Sequence, residues 1–117
     1  MSTIDPTAIG ERGLADSQRW FPDAHLHGTM HLVQLLTLGL CAEAGEVANE
    51  VTRAAREGGA ITPANAELVV DELADVAIYL FDLCALLQID LPAAITSKRT
   101  DLLIRFDQLG LFGDDPT

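Results

Sequence analysis

Two acidic pairs carry most of the chemical content of this chain: Glu43-x-x-Glu46 in LGLCAEAGEVANE and Glu72-x-x-Asp75 in VDELADVAIYL. Each pair sits inside an otherwise apolar helical stretch. Carboxylates on a hydrophobic face are costly unless something compensates their charge, and a bound hard cation is the expected compensation. Oxygen ligands without an accompanying Cys/His set favour Mg²⁺, with Mn²⁺ as a substitute, over zinc. A di-iron bundle fits poorly, because that design wants Glu-x-x-His and the chain has none. An isolated E-x-x-E in a chain with 18 acidic residues ordinarily marks a solvated face. Two such pairs, each flanked by core-type residues, point instead to a site.

The elements that must position them read as helices. From about residue 24 to 57 there is no proline and no strand alternation, and Gly58-Gly59 stops the pattern. Thr62-Pro63, a cap followed by a first-turn proline, starts a second helix that runs to about residue 88. Asp90-Leu91-Pro92 opens a third, over 92–108, stopped by Gly110. Residues 1–22 read as an N-terminal arm or short helix, with Asp23 as a cap for the helix after it, and 110–117 as a tail. At 3.6 residues per turn Glu72, Asp75 and Tyr79 share one stripe, while Glu43, Glu46 and Glu50 share another with Leu32, Leu36 and Val47. If the two helices lie antiparallel across their short connector, four or five carboxylates converge on one point, tolerable only with cations between them.

Composition narrows the partners. A chain of 117 residues, 49% hydrophobic and 5% aromatic, is expected to form one all-α domain whose core is Leu, Ala, Val and Ile. The formal charge of −11 argues against nucleic-acid or anionic-membrane surfaces. No signal peptide or long uncharged apolar run is apparent, so a cytoplasmic location is the default expectation. Cys41 and Cys84 have no metal or redox spacing and read as reduced, buried small hydrophobes.

The order E-A-G-E-V-A-N-E, a connector, D-E-L-A-D-V-A-I-Y-L, then D-L-P-A-A-I-T-S-K-R-T-D-L-L-I-R-F resembles the MazG-like members of the all-α nucleoside triphosphate pyrophosphohydrolases, relatives of the dimeric dUTPases and dCTP pyrophosphatases. The resemblance covers about residues 20–107. It implies Mg²⁺-dependent hydrolysis of a nucleoside triphosphate to the monophosphate and pyrophosphate, for nucleotide pool control. It implies Glu43, Glu46, Glu72 and Asp75 as metal ligands. A carboxylate not fully engaged by metal can take the attacking water's proton, with Glu43 and Glu46 the first candidates and Glu50, one turn on, in an outer position. Lys98 and Arg105 match the basic positions that face the leaving pyrophosphate, and Arg53 stands where relatives often carry Lys. One position departs: relatives commonly have Asn four residues after the lysine, and here it is Leu102.

Tyr79 follows Asp75 by one turn, and His31 precedes Glu43 by the interval of a histidine in the dCTP pyrophosphatase-like members, so both are base-pocket candidates by resemblance. A core tyrosine and a surface histidine are the competing readings. His27 and His31, at i and i+4, lack a third metal ligand nearby. Trp20 and Phe21 stand either to close over a base or to pin the arm. So short a chain with so apolar a second helix implies a helical bundle completed by oligomerisation, as a homodimer or homotetramer. The competing function is a family member without turnover, acting as a metal-dependent nucleotide-binding or regulatory module. Leu102 favours that reading.

Overall fold

A computed structural model describes residues 4–109 of the chain. They form four α-helices and one 3-10 turn: α1 (Pro6–Trp20), the 3-10 turn (Pro22–His25), α2 (Thr29–Glu57), α3 (Pro63–Leu86) and α4 (Leu91–Leu109). No strand occurs among the described residues. The all-α expectation therefore holds. No single helix among them is long and apolar enough to cross a membrane.

Local chemistry accounts for most of the boundaries. Thr62 caps α3 by accepting from the Asn65 amide at 3.4 Å, with Pro63 in its first turn. Asp90 does the same for α4, accepting from the Ala93 amide at 3.1 Å. The end of α2 is closed by the amides of Gly58 and Gly59, both bonded to the Ala54 carbonyl at 3.1 Å. Gly59 turns the chain at φ +70°, a backbone state open to glycine at little cost. After α3, Gln88 takes the left-handed conformation at φ 57° while the Ile89 amide returns to the Cys84 carbonyl at 2.8 Å.

Of the arm or short helix expected over residues 1–22, the structure has a helix. Asp5 accepts from the Thr7 amide at 3.0 Å and Pro6 opens the helix, so α1 runs for 15 residues and packs along α3. Asp23 is not a cap for α2 but lies within the 3-10 turn, where its carbonyl accepts from the Leu26 amide. That turn is tied back to α1 by a 3.0 Å hydrogen bond between Ser17 Oγ and His25 Nε2. Gly28, at φ 88°, then breaks the chain, so α2 begins at Thr29 rather than near residue 24. The second expected helix ends at Leu86 rather than 88, and the third spans 91–109 rather than 92–108. The expected tail at 110–117 lies outside the described residues.

Helices α2 and α3 form an antiparallel pair, and α1 packs extensively on α3 as well. Small residues permit the close approach. A methyl group at Gly10 of α1 would run into the Phe81 carbonyl oxygen and the Ala85 side chain, and one at Gly39 of α2 would enter the Tyr79 ring. Helix α4 departs from α3 at 102° and makes no extensive packing against the other three. The interior is thin: Leu32, Leu36 and Ala54 are the buried hydrophobic residues among those described. Leu38, Val70, Leu73, Ile95 and Leu103 are each half exposed or more. Cys41 is exposed too, against the expectation of burial.

The Gly10 contact gives a direct test of the α1–α3 packing. Gly10→Ala raises helix propensity, yet overpacking against backbone is expected to lower stability by roughly 1–3 kcal/mol. Chemical denaturation would measure it, and a stabilised variant would show that α1 does not lie there.

Candidate metal centre

The register of α2 against α3 sets the site. With Gly39 packed on Tyr79, stepping one helical turn forward along α2 and one turn back along α3 brings Glu43 opposite Asp75. One more short step brings Glu46 opposite Glu72. In the structure, ligand oxygens of Glu43, Glu72 and Asp75 lie within 4.8 Å of one another. Glu43 and Glu72 are partly buried and Asp75 is exposed, so the cluster opens to solvent on one side. Glu46 is exposed and stands outside that trio, but near enough for its charge to act on Glu72.

The electrostatics follow from the crowding. Glu72 is pushed above the ordinary carboxylate range, first because the Glu43 carboxyl is placed to share a proton with it. Burial comes next, followed by the negative charges of Glu43, Glu46 and Asp75. Among the described residues no Lys or Arg makes an ion pair with the cluster. Such a set of oxygen donors, gathered from two helices and lacking a basic counter-charge among the described residues, suits a hard divalent cation.

The remaining expected site residues lie at varied distances from it. Tyr79 is partly buried, stacked on Gly39 beside the cluster, and lines a cavity that also reaches Asp75. Trp20 and Phe21 border the same cavity from the end of α1. His31 is not brought to the acids: it lies on α2 about 18 Å along the axis from Glu43, with its ring edge-on to His27 at a centroid distance of 5.1 Å. Arg53 pairs with Glu50 at 3.2 Å, one turn apart, which commits Glu50 as well. Lys98 and Arg105 are exposed on α4, which turns away from the α2–α3 pair. Leu102, at the position of the usual asparagine, is partly buried.

Sequence reasoning missed Asp82. This residue is 6% exposed on α3, one turn beyond Tyr79, and its Oδ1 is buried without a hydrogen-bond partner. Gly13 of α1 lies directly against its carboxyl group. Desolvation, then the charge of Asp16 on α1, pushes its pKa up to about 6. The available signal was a single acid in the apolar run IYLFDLCALL, one turn along from Tyr79 on the stripe already singled out. Among known proteins, no family model matches the chain and no curated protein matches it significantly.

Asp82 gives the folded state a pH dependence of definite sign. Its folded pKa lies above its unfolded one, so its contribution is fully present below about pH 3.8 and is lost as pH rises through about 6. Asp82→Asn, which carries no charge at any pH, should therefore gain stability over wild type progressively between about pH 4 and pH 8. Thermal melts across that range would show the widening gap, whereas a gap independent of pH would mean that Asp82 is solvated.

Proposed function

We propose that the chain is a Mg²⁺-dependent nucleoside triphosphate pyrophosphohydrolase, with Mn²⁺ as a possible substitute, cleaving its substrate to the monophosphate and pyrophosphate. The observation that carries this reading is the convergence of Glu43, Glu72 and Asp75 from two helices onto one point, with Glu46 beside them. The resemblance of the acidic and K…RF segments to the MazG-like enzymes supports it and supplies the reaction.

On this reading Glu43, Glu46, Glu72 and Asp75 hold the metal. When bound, the cation neutralises the triphosphate and acidifies the attacking water. The protein's own groups do the rest. Glu43 and Glu46 are the carboxylates placed to accept the water's proton. Tyr79 packs beside the base, and Arg53, although paired with Glu50, stands on the same helix within two turns of Glu46. Lys98 and Arg105 neutralise the departing pyrophosphate.

Those last two roles require a second copy of the chain, because α4 carries both cations away from the acids of its own chain. The accessible surface points the same way. It is 8913 Å², against about 6,200 Å² for a compact monomer of this mass. The radius of gyration is 18.3 Å, against about 13 Å for a compact chain of this length. The half-exposed apolar residues of α2, α3 and α4 are then the surface that a homodimer or homotetramer covers. A cytoplasmic protein that avoids nucleic acid and membrane is consistent with the charge of −11.

Leu102 favours one competing reading, a nucleotide-binding or regulatory module without turnover. Common NTPs and dNTPs incubated with the protein and Mg²⁺ distinguish the two. Wild type should yield monophosphate and pyrophosphate, while Glu46→Gln and Glu72→Gln should each lower kcat at least about a hundredfold. Mixing Glu72→Gln chains with Lys98→Ala/Arg105→Ala chains should restore part of the activity if sites are shared between copies. Nucleotide binding without products would leave the binding module standing.

A further inference from the structure

A cavity of about 490 Å³ opens between α1 and α3, and the metal centre alone does not account for its lining. Trp20, Phe21 and Tyr79 are in its lining, aromatic groups of the kind that stack on a planar ring, and the Arg19 guanidinium lies over the Trp20 ring at 5.6 Å from its centroid. Asp75 of the acidic cluster and Asp82 both line it. Along α3 these two acids are separated by about 10.5 Å, comparable to the reach from the α-phosphate across the sugar to the far edge of a purine.

Asp82 is the unexplained group in this cavity. A carboxyl group more than nine-tenths buried with an unpartnered oxygen is costly unless a donor arrives from outside. Among the described residues, no charged side chain pairs with Asp82. Arg12 and Asp16 of α1 line the cavity, but Arg12 makes no ion pair with Asp82 and Asp16 adds a like charge. On α3, Asp75 is also negative. Gly13 supplies only the space into which the carboxyl group fits.

We propose that this cavity takes a nucleobase and that Asp82 selects guanine by accepting hydrogen bonds from its ring N1–H and exocyclic amine. The inference rests on the nucleotide reading above and deepens it. An ionised carboxylate is acceptor-only, and it offers two oxygens side by side. Guanine alone among the common bases presents two adjacent N–H donors on its pairing edge. Adenine and cytosine place a ring acceptor against the carboxylate, and uracil flanks its single N–H with carbonyls. Presenting both oxygens to the base requires the Asp82 side chain to turn from its seat against Gly13.

Trp20 is the chain's one tryptophan and borders the cavity, so its fluorescence reports occupancy directly. Nucleosides, which carry no phosphate, are titrated onto the full chain in EDTA. Guanosine should quench saturably and bind at least about tenfold tighter than adenosine, cytidine, uridine or inosine, the last lacking only the exocyclic amine. Asp82→Asn presents one acceptor and one donor, so its preference should move from guanosine to xanthosine, in which a carbonyl replaces that amine. Equal affinity for all nucleosides, no saturable quenching by guanosine, or an Asp82→Asn effect that is the same for every base overturns the proposal. Because the assay contains neither metal nor triphosphate, it separates failure of base selection from failure of the hydrolase reading. Triphosphate turnover without guanine preference would sink only the former.

Discussion

Mutual repulsion among carboxylates on the α2–α3 seam is the constraint around which this chain is arranged. Glu43, Glu72 and Asp75 bring their oxygens within 4.8 Å of one another, and no Lys or Arg among the described residues pairs with them. The Glu72 carboxyl is pushed above the ordinary range as a result, first because the Glu43 carboxyl is placed to hydrogen-bond with it, then by burial and the neighbouring negative charges. Packing elsewhere fixes them there. Gly39 lets the Tyr79 ring lie against α2 and so sets the register of the pair. The Gly58-Gly59 connector turns the chain sharply enough for the two helices to run back along each other.

A second layer depends on that pair. Helix α1 reaches α3 closely because Gly10 and Gly13 present bare backbone to Phe81, Ala85 and Asp82. That approach buries Asp82 and leaves a cavity lined by aromatic side chains beside the acids. On the proposed reading, that burial trades stability for a polar group held ready for a ligand. Helix α4 belongs to neither layer. Its exposed apolar and basic residues acquire a purpose on the proposed reading only when another chain lies against them.

The helices over α2, α3 and α4 were legible because their ends are written in local chemistry: Thr62-Pro63, Asp90 and Gly58-Gly59 each act through the backbone groups next to them. The acidic stripes were legible for the same reason, since helical periodicity alone puts Glu72, Asp75 and Tyr79 on one side. What periodicity does not carry is depth or distance. Whether His31 lies near Glu43 depends on three turns of rise along one helix, and whether Lys98 reaches the acids depends on the angle at which α4 leaves α3. For α1 the sequence left arm and short helix open, because its signals, Asp5-Pro6 at the start and glycines at Gly10 and Gly13, also suit a loop. Asp82 was hidden by its neighbours: one acid in an apolar run reads as a solvated position until α1 is placed over it.

Whether the acids of the α2–α3 seam hold a divalent cation is tested most directly by Mn²⁺, through its own paramagnetism. Titrated onto the metal-free protein, Mn²⁺ should lose its free-ion resonance in electron paramagnetic resonance spectra up to a fixed whole-number stoichiometry per chain. Excess Mg²⁺ should release it, and Glu72→Gln should weaken the binding at least about tenfold. If Mn²⁺ stays free in wild type, or binds equally well to Glu72→Gln, the acidic seam is a repulsive surface and not a metal centre.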